Sequence, residues 1–371
     1  MKVLHIITSL GSGGTEGMLY RLIQASSKSV EHSVICLKKG GKYESLFKKD
    51  GLDLIVIDLK FSSLIKGIIQ IYKFSLSKRK QGYQIITSWL YHADFVAWFV
   101  KLICRYKFLA WNIRSSKLQR RRLSFKNWLN FKILAMLSHF GVNKIISCSK
   151  ATLEIHKKIG YRDDIFTFIP NGYFIDQNKY FNKEFKNYDG IYRICMVARW
   201  HPQKDFENLF KALSLLKSNI SFHLKIAGSE TGPDNQEIVN LLKKYKIEKF
   251  CTLMGEVDDV QTVYQKSHVN VLSSAFGETF PNVLSESMLN FTPCVSTDVG
   301  DANNILADVG FIVPVGNSKA LADALKENHS ILKDQNDLYL ESCVKGFEKV
   351  RINYNIYDVA RVYYDVWKSL V

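Results

Sequence analysis

Tyr192-Arg193-Ile194-Cys195-Met196-Val197-Ala198-Arg199-Trp200-His201-Pro202-Gln203-Lys204-Asp205 is the stretch that decides the fold. Apart from Arg193, its first seven residues suit a strand buried on both faces of a parallel sheet. A turn and the start of a helix follow. The chain opens in the same way, with Val3–Thr8 running into the glycine turn Gly11–Gly14. A strand–helix alternation that starts twice predicts two doubly wound α/β domains. A length of 371 residues fits two domains at ~150 residues each.

Outward from that stretch, further strands are expected at Phe222–Ala227, Phe250–Met254, His268–Leu272, Thr292–Ser296 and Gly310–Val313. Toward the N-terminus they are expected at Ile165–Ile169, Lys144–Cys148, Lys107–Ile113, Gln84–Ser88, Leu54–Asp58 and Ser33–Lys38. The turn signal Ile169-Pro170-Asn171-Gly172 and the polar run Asp176–Asp189 mark a boundary. The expected domains are therefore 1–172 and 173–354. Residues 355–371 form an amphipathic helix, with Val359, Val362, Tyr363 and Val366 on one face, that crosses back to the first domain.

Lys and Arg exceed Asp and Glu by 51 − 35 = 16, which favours an anionic partner. No apolar run approaches the ~18 residues of a membrane span. The N-terminal MKVLHIITSLGSGG reads as a first strand, not a signal peptide. Seven scattered cysteines without a C-x-x-C pair fit free thiols in a reducing cytoplasm, not a disulfide framework or a zinc site.

Three motifs carry chemistry. Gly13-Gly14-Thr15-Glu16 follows the first strand, where a glycine turn lets backbone N–H groups approach a phosphate at a helix start. It is not the dinucleotide fingerprint: Glu16 stands where that motif needs glycine, and Lys38 and Lys39 stand where it needs an acid. By itself the turn is equally well a plain tight turn. Arg199 and Lys204 lie at the carboxyl end of a strand, the edge at which open α/β sheets bind ligands, and two cations there can clamp a diphosphate. The plainer reading is a solvated basic pair. Finally, Phe276-Gly277-Glu278-Thr279-Phe280-Pro281-Asn282-Val283-Leu284-Ser285-Glu286 follows another strand. Pro281 suits a first helical position, and the amides around it would attract an anion. Apolar neighbours predict partial burial of Glu286, and a ribose diol is a well-shaped partner for such a carboxylate.

Together these motifs resemble the family 4 glycosyltransferases of the GT-B fold, in which two Rossmann-like domains face each other across a cleft. Glu278…Glu286 matches the family's E-x7-E element, Gly13-Gly14-Thr15-Glu16 its glycine loop, and Arg199 and Lys204 its phosphate clamp. Ser88-Trp89-Leu90-Tyr91-His92-Ala93-Asp94 further resembles members that build bacterial surface polysaccharides of the O-antigen type. The resemblance implies retaining transfer of a sugar from a nucleotide diphosphate donor, UDP being expected over GDP, without a metal or other cofactor. It implies that Glu286 holds the ribose and that Arg199 and Lys204 hold the diphosphate. Glu278, with Thr279, Phe280, Pro281 and Asn282, would face the sugar, and the backbone at Val257 would meet the base. Gly13 and Gly14 would let the first domain approach the phosphates. The sequence departs from the family where many members carry a histidine after the fifth strand. Arg114 stands there, so either His92 or Arg114 is expected near the reacting sugar.

From Lys101 to Lys158 there are fourteen Lys/Arg and one acid, Glu154. Within it, Lys117, Arg120, Arg121, Arg122 and Lys126 interleave with Phe125 and Trp128. That mixture suits a helix lying on an anionic bilayer. No nucleic-acid module accompanies it, so no nucleic-acid partner is expected. The expected enzyme is cytoplasmic, peripheral on the inner face of the membrane, and acts on a saccharide or lipid-linked saccharide acceptor. Two alternatives share the fold: a non-hydrolysing sugar-nucleotide epimerase and a noncatalytic nucleotide-sugar-binding membrane module.

Overall fold

The computed structural model describes residues 1–59, 64–114, 125–176 and 186–371, with backbone alone for 125–127. The polar run after Asp176 therefore lies largely outside the described residues, as do Lys117, Arg120, Arg121 and Arg122. The side chains of Phe125 and Lys126 are outside them too. The chain divides into two compact units, Met1–Phe174 with Tyr354–Val371, and Ile175–Asn353.

The first unit is a seven-stranded sheet of β1 (Lys2–Ile7), β2 (Glu31–Cys36), β3 (Asp53–Val56), β4 (Ile85–Trp89), β5 (Phe108–Ile113), β6 (Lys144–Ser147) and β7 (Phe166–Phe168). The order is β3-β2-β1-β4-β5-β6-β7, and every pairing is parallel. The period of two is visible in β1: Leu4 and Ile6 belong to one apolar cluster, Val3 and Ile7 to another. Both faces need helices over them. α1 (Gly14–Ser26) and α2 (Lys42–Lys49) cover one face. α3 (Leu64–Lys80), α4 (Tyr91–Cys104) and α5 (Phe125–Ser138) cover the other, followed by α6 (Lys150–Ile159). Ser149 caps α6 by accepting from Thr152 N at 3.0 Å.

The second unit is a six-stranded parallel sheet in the order β10-β9-β8-β11-β12-β13. Its elements are β8 (Tyr192–Val197), α7 (Phe206–Ser214), β9 (Phe222–Ala227), α8 (Gln236–Lys244), β10 (Cys251–Leu253), α9 (Val260–Gln265), β11 (Val269–Leu272), α10 (Asn282–Met288), β12 (Cys294–Thr297), α11 (Ala302–Leu306), β13 (Phe311–Val313), α12 (Ser318–Asp334) and α13 (Asn336–Asn353). Among the described residues thirteen strands form, each within two residues of its expected ends.

The last helix, α14 (Ile356–Lys368), packs in the first unit. Its Ile356, Val359, Ala360, Tyr363 and Trp367 share a cluster with Leu19, Leu22 and Ile23 of α1. Trp367 Nε1 donates to Thr87 Oγ1 of β4 at 3.1 Å. Lys186, the first residue described after Asp176, is fully buried. Its ammonium donates to Ser267 O at 2.6 Å and Thr292 Oγ1 at 2.7 Å, and burial lowers its pKa to about 8. All seven cysteines are free thiols.

Candidate functional site

In the second unit the strand order reverses between β8 and β11, so the helices after them leave in opposite directions. These two strands pair only at Val269↔Ile194 and Asn270↔Cys195, and their carboxyl ends are free to diverge. Such a switch point is where open α/β sheets bind ligands. The two motifs of the second half emerge there side by side.

After β8 the chain passes Arg199 and enters a 3-10 turn at Pro202–Lys204. His201 Nδ1 caps it by accepting from Gln203 N at 3.1 Å. Asp205, at φ 47°, then caps α7 by accepting from Asn208 N at 3.3 Å. The loop after β11 is tied to this turn. Ser273 Oγ donates to Lys204 O at 2.8 Å, and Ala275 N donates to Gln203 O at 2.8 Å.

The side chains meet at Glu278, which is buried. Its Oε1 takes Lys204 Nζ at 2.6 Å, Ser274 Oγ at 2.8 Å and Gln203 Nε2 at 3.1 Å. A buried carboxylate is tolerable only when paired and hydrogen-bonded, and these three donors supply both conditions. Arg199 is exposed and makes no ion pair or hydrogen bond among the described residues. The same turn thus carries one cation already neutralised and one unneutralised. Thr279 Oγ1 and Gln203 Oε1 are buried without a hydrogen-bond partner among the described residues.

The loop that presents Glu278 is clamped from behind. Gly300 has φ 56°, and a Cβ there would lie 2.6 Å from the carbonyl oxygens of both Glu278 and Thr279. Only glycine permits that approach. Asp301 N then donates to Thr279 O at 2.9 Å. Pro281 is the residue before α10, not its first helical residue: its carbonyl accepts from Leu284 N at 3.1 Å, and Asn282 begins the helix. Phe280 and Pro281 are buried, and Asn282 and Glu286 are half-buried. Val257 is half-buried against Cys195, Ala227, Val263 and Tyr264.

Sequence reasoning passed over Gln203, Ser274 and Gly300. Gln203 lay inside a quoted motif but had no signal of its own. Ser274 and Gly300 owe their importance to partners that only the folded loops bring near.

In the first unit Gly13 and Gly14, His92 and Arg114 follow the carboxyl ends of the adjacent parallel strands β1, β4 and β5. Gly13 caps α1 without a side chain, and a Cβ there would meet Glu16 Oε2 at 2.5 Å. Glu16 is buried and accepts from Ser9 Oγ at 3.0 Å. The positive start of α1, with Gly14 as its first residue, thus already holds a carboxylate of its own chain. His92 is exposed in the first turn of α4. Arg114 is buried. Its Nη1 donates to Asn171 Oδ1, its Nη2 donates to Tyr363 Oη at 2.5 Å, and its guanidinium lies 4.9 Å from the Trp89 ring. This arginine ties the end of β5 to α14. Trp128 is half-buried, with Lys132 Nζ 6.0 Å from its ring. Among the described residues no group of three acidic, histidine or cysteine side chains could hold a metal ion, and no helix is long and apolar enough to cross a membrane.

Residues 176–340 match the family model of group 1 glycosyl transferases. The chain is 37% identical over 103 residues to the phosphatidyl-myo-inositol mannosyltransferase of Mycobacterium leprae, covering 26% of each. It is 27% identical over 136 residues to an exopolysaccharide phosphotransferase of Streptomyces coelicolor, covering 36% of this chain and 14% of that one. The chain thus matches about a quarter of the length of the first of these curated relatives and about a seventh of the second. Among solved structures, HepE of Anabaena in complex with UDP-glucose superposes with a TM-score of 0.84 at 17% identity over 100% of both chains. A glycosyltransferase of Rickettsia africae gives 0.82 at 17% identity, covering 100% of this chain and 98% of that one. These likenesses show a GT-B fold.

Proposed function

With a group 1 glycosyl transferase match at residues 176–340 as premise, we propose that the chain is a retaining glycosyltransferase that moves a sugar from a nucleoside diphosphate donor to a saccharide acceptor. One observation carries the reading: a buried Lys204–Glu278 pair, fixed by Gln203 and Ser274, adjoins an exposed Arg199 at the switch point of the sheet. Because the HepE structures hold UDP and UDP-glucose, UDP-sugars are the donors expected first.

In the reaction the bond from the anomeric carbon to the diphosphate oxygen breaks, and its electron pair leaves with the nucleotide. The acceptor hydroxyl bonds to the anomeric carbon, and its proton is lost to the departing diphosphate. Negative charge grows on that diphosphate, so fixed cations lower the barrier. Arg199 brings an unneutralised charge, and Lys204 supports it from the buried side. Glu278, held by three donors, offers a rigid acceptor to sugar hydroxyls. Glu286 hydrogen-bonds the ribose, with Thr279, Phe280, Pro281 and Asn282 shaping the loop between the two acids and Val257 bordering the base. The glycines Gly13 and Gly14 and the exposed His92 are the first unit's contributions. No divalent metal is needed, because the cations do its electrostatic work. The acceptor is lipid-linked, and Lys117, Arg120, Arg121, Arg122, Phe125, Lys126 and Trp128 hold the enzyme to the cytoplasmic face of an anionic membrane.

A thermal-shift panel of nucleoside diphosphates and their sugars tests the reading. A bound donor at 100 times its dissociation constant adds ~2.7 kcal/mol of stability. Stabilisation by a UDP-sugar, with donor consumption that requires an acceptor, supports transfer. Interconversion of the donor sugar without an acceptor contradicts it.

A further inference from the structure

Twelve of the 23 exposed large apolar side chains among the described residues lie on three helices of the first unit or in the turn after them. On α3 they are Leu64, Ile65, Ile68, Ile69 and Tyr72, with Ile65 76% exposed. The spacing from Ile65 is i, i+3, i+4, i+7, a single stripe. Beneath it, the residues α3 buries are Gly67, Ile71 and Ser75. Phe74 and Leu76 join Ile71 on the core side, so α3 is apolar on its solvent face as well as on its core face, unlike an ordinary surface helix.

α4 is likewise apolar on both sides, with Tyr91, Val96 and Trp98 packed against the core. It buries Ala93, Asp94, Ala97, Val100 and Cys104, and exposes Phe95, Phe99, Leu102 and Ile103. Leu129 and Met136 of α5, and Phe140 just beyond it, continue the surface, Phe140 at 63% exposure. The three helices pack side by side in one layer over the same sheet face, α3 on α4 and α4 on α5. Their outward stripes therefore share one surface. Apolar patches of that extent on a protein surface mark an interaction site.

Charge identifies the partner. α3, α4 and α5 carry eight Lys/Arg and one acid, Asp94, which is buried. Lys66 and Lys73 are exposed on α3, and neither makes a hydrogen bond or ion pair among the described residues. Aromatic and aliphatic side chains rimmed by unpaired cations match an anionic bilayer, into which the apolar groups insert while the cations meet lipid phosphates. A second copy of the chain would set like charges against each other. A nucleic acid would leave the apolar stripes in water.

We propose that the outward face of α3, α4 and α5 is a membrane-docking surface for anionic lipid. The proposal deepens the proposed function, on which it rests for its purpose: it presents the first unit to a lipid-linked acceptor. The helix stripes are the contact, in addition to the basic segment read from the sequence.

The test is co-sedimentation of the full chain with vesicles of phosphatidylglycerol and phosphatidylcholine, against pure phosphatidylcholine. The variants are Ile65→Glu/Ile68→Glu, Phe95→Ser/Phe99→Ser and Lys66→Glu/Lys73→Glu. All six side chains are exposed, so thermal unfolding should match wild type. Wild type should bind the anionic vesicles ~10-fold more tightly than the neutral ones, with binding weakened by salt. Each variant should lose ~10-fold in vesicle affinity while keeping its stabilisation by UDP or UDP-glucose. Equal vesicle binding by wild type and the two apolar variants overturns the proposal, as does absence of wild-type binding. A wild-type dimer that becomes monomeric in Ile65→Glu/Ile68→Glu, with no lipid binding, assigns the face to self-association and also overturns it. Vesicle binding without any nucleotide stabilisation contradicts the enzymatic reading and leaves the docking surface standing.

Discussion

Lys204 and Arg199 are cations on one turn, yet burial separates what their loss will do. Lys204→Ala strands the Glu278 carboxylate in a buried site, and breaking such a pair costs ~3–5 kcal/mol. Arg199→Ala removes an exposed, unpaired side chain, and stability should stay within ~0.5 kcal/mol. Its loss should appear in kcat, by ~100-fold if it meets the charge of the leaving diphosphate. Urea unfolding and steady-state kinetics on the two variants check the contrast. The double variant Lys204→Met/Glu278→Gln should recover much of the lost stability without recovering turnover, since it removes both buried charges together. Ser274→Ala withdraws one donor from Glu278 and should raise the donor KM or lower kcat by ~1 kcal/mol. An Arg199→Ala enzyme with wild-type kcat would move the phosphate site elsewhere. Glu286→Gln keeps a hydrogen bond to the ribose but loses its charge, so donor affinity should fall by ~1 kcal/mol.

Strands β1, β2 and β4 and helix α1 are joined through a buried histidine pair whose protonation is dictated by its neighbours. Trp89 Nε1 can only donate, so His5 Nδ1 accepts from it at 3.2 Å. His5 Nε2 then donates to His32 Nδ1 at 2.9 Å, and His32 Nε2 donates to Ser26 Oγ at 2.9 Å, whose hydroxyl donates to Leu22 O at 2.6 Å. Both rings are neutral in the fold. Burial, with the positive N-terminus, lowers His32 to about 3, and burial, with His32, holds His5 well below the usual range. Below pH ~6.5 the unfolded histidines bind protons that the folded ones refuse. Stability from each ring is therefore complete above pH ~6.5 and falls as pH drops, by ~1.4 kcal/mol per unit, down to about 3 for His32. Urea unfolding at pH 7.5 and 5.0 should show ~2 kcal/mol less acid loss for His32→Gln than for wild type. Identical losses would contradict the neutral chain. At this scale much of the fold was legible in the sequence, because parallel strands covered on both faces read as continuous apolar runs. The start of α10 was misjudged by one residue because the loop's own carbonyl at Pro281 sets it. The bond from Arg114 to Tyr363 was not legible because the two residues lie 249 positions apart. The α3 stripe was passed over because a period of 3.6 marks an apolar face without saying which way it points.

For the whole molecule, the site motifs were legible as a set in their order along the chain, while the donors that fix Glu278 depended on long-range loop contacts. On the proposed function, donor binding belongs to the second unit and rests on side-chain cations. Turnover should survive EDTA unchanged; complete loss in EDTA restored by magnesium or manganese would refute the metal-free site. The most direct test is titration calorimetry of UDP and UDP-glucose, in EDTA, against wild type, Arg199→Ala and Glu286→Gln. Saturable one-to-one binding to wild type is expected, weakened ~10-fold in Arg199→Ala and ~5-fold in Glu286→Gln, with folding of both variants intact. Nucleotide binding of equal strength in all three proteins, or binding that appears only when a divalent metal is added, would contradict it.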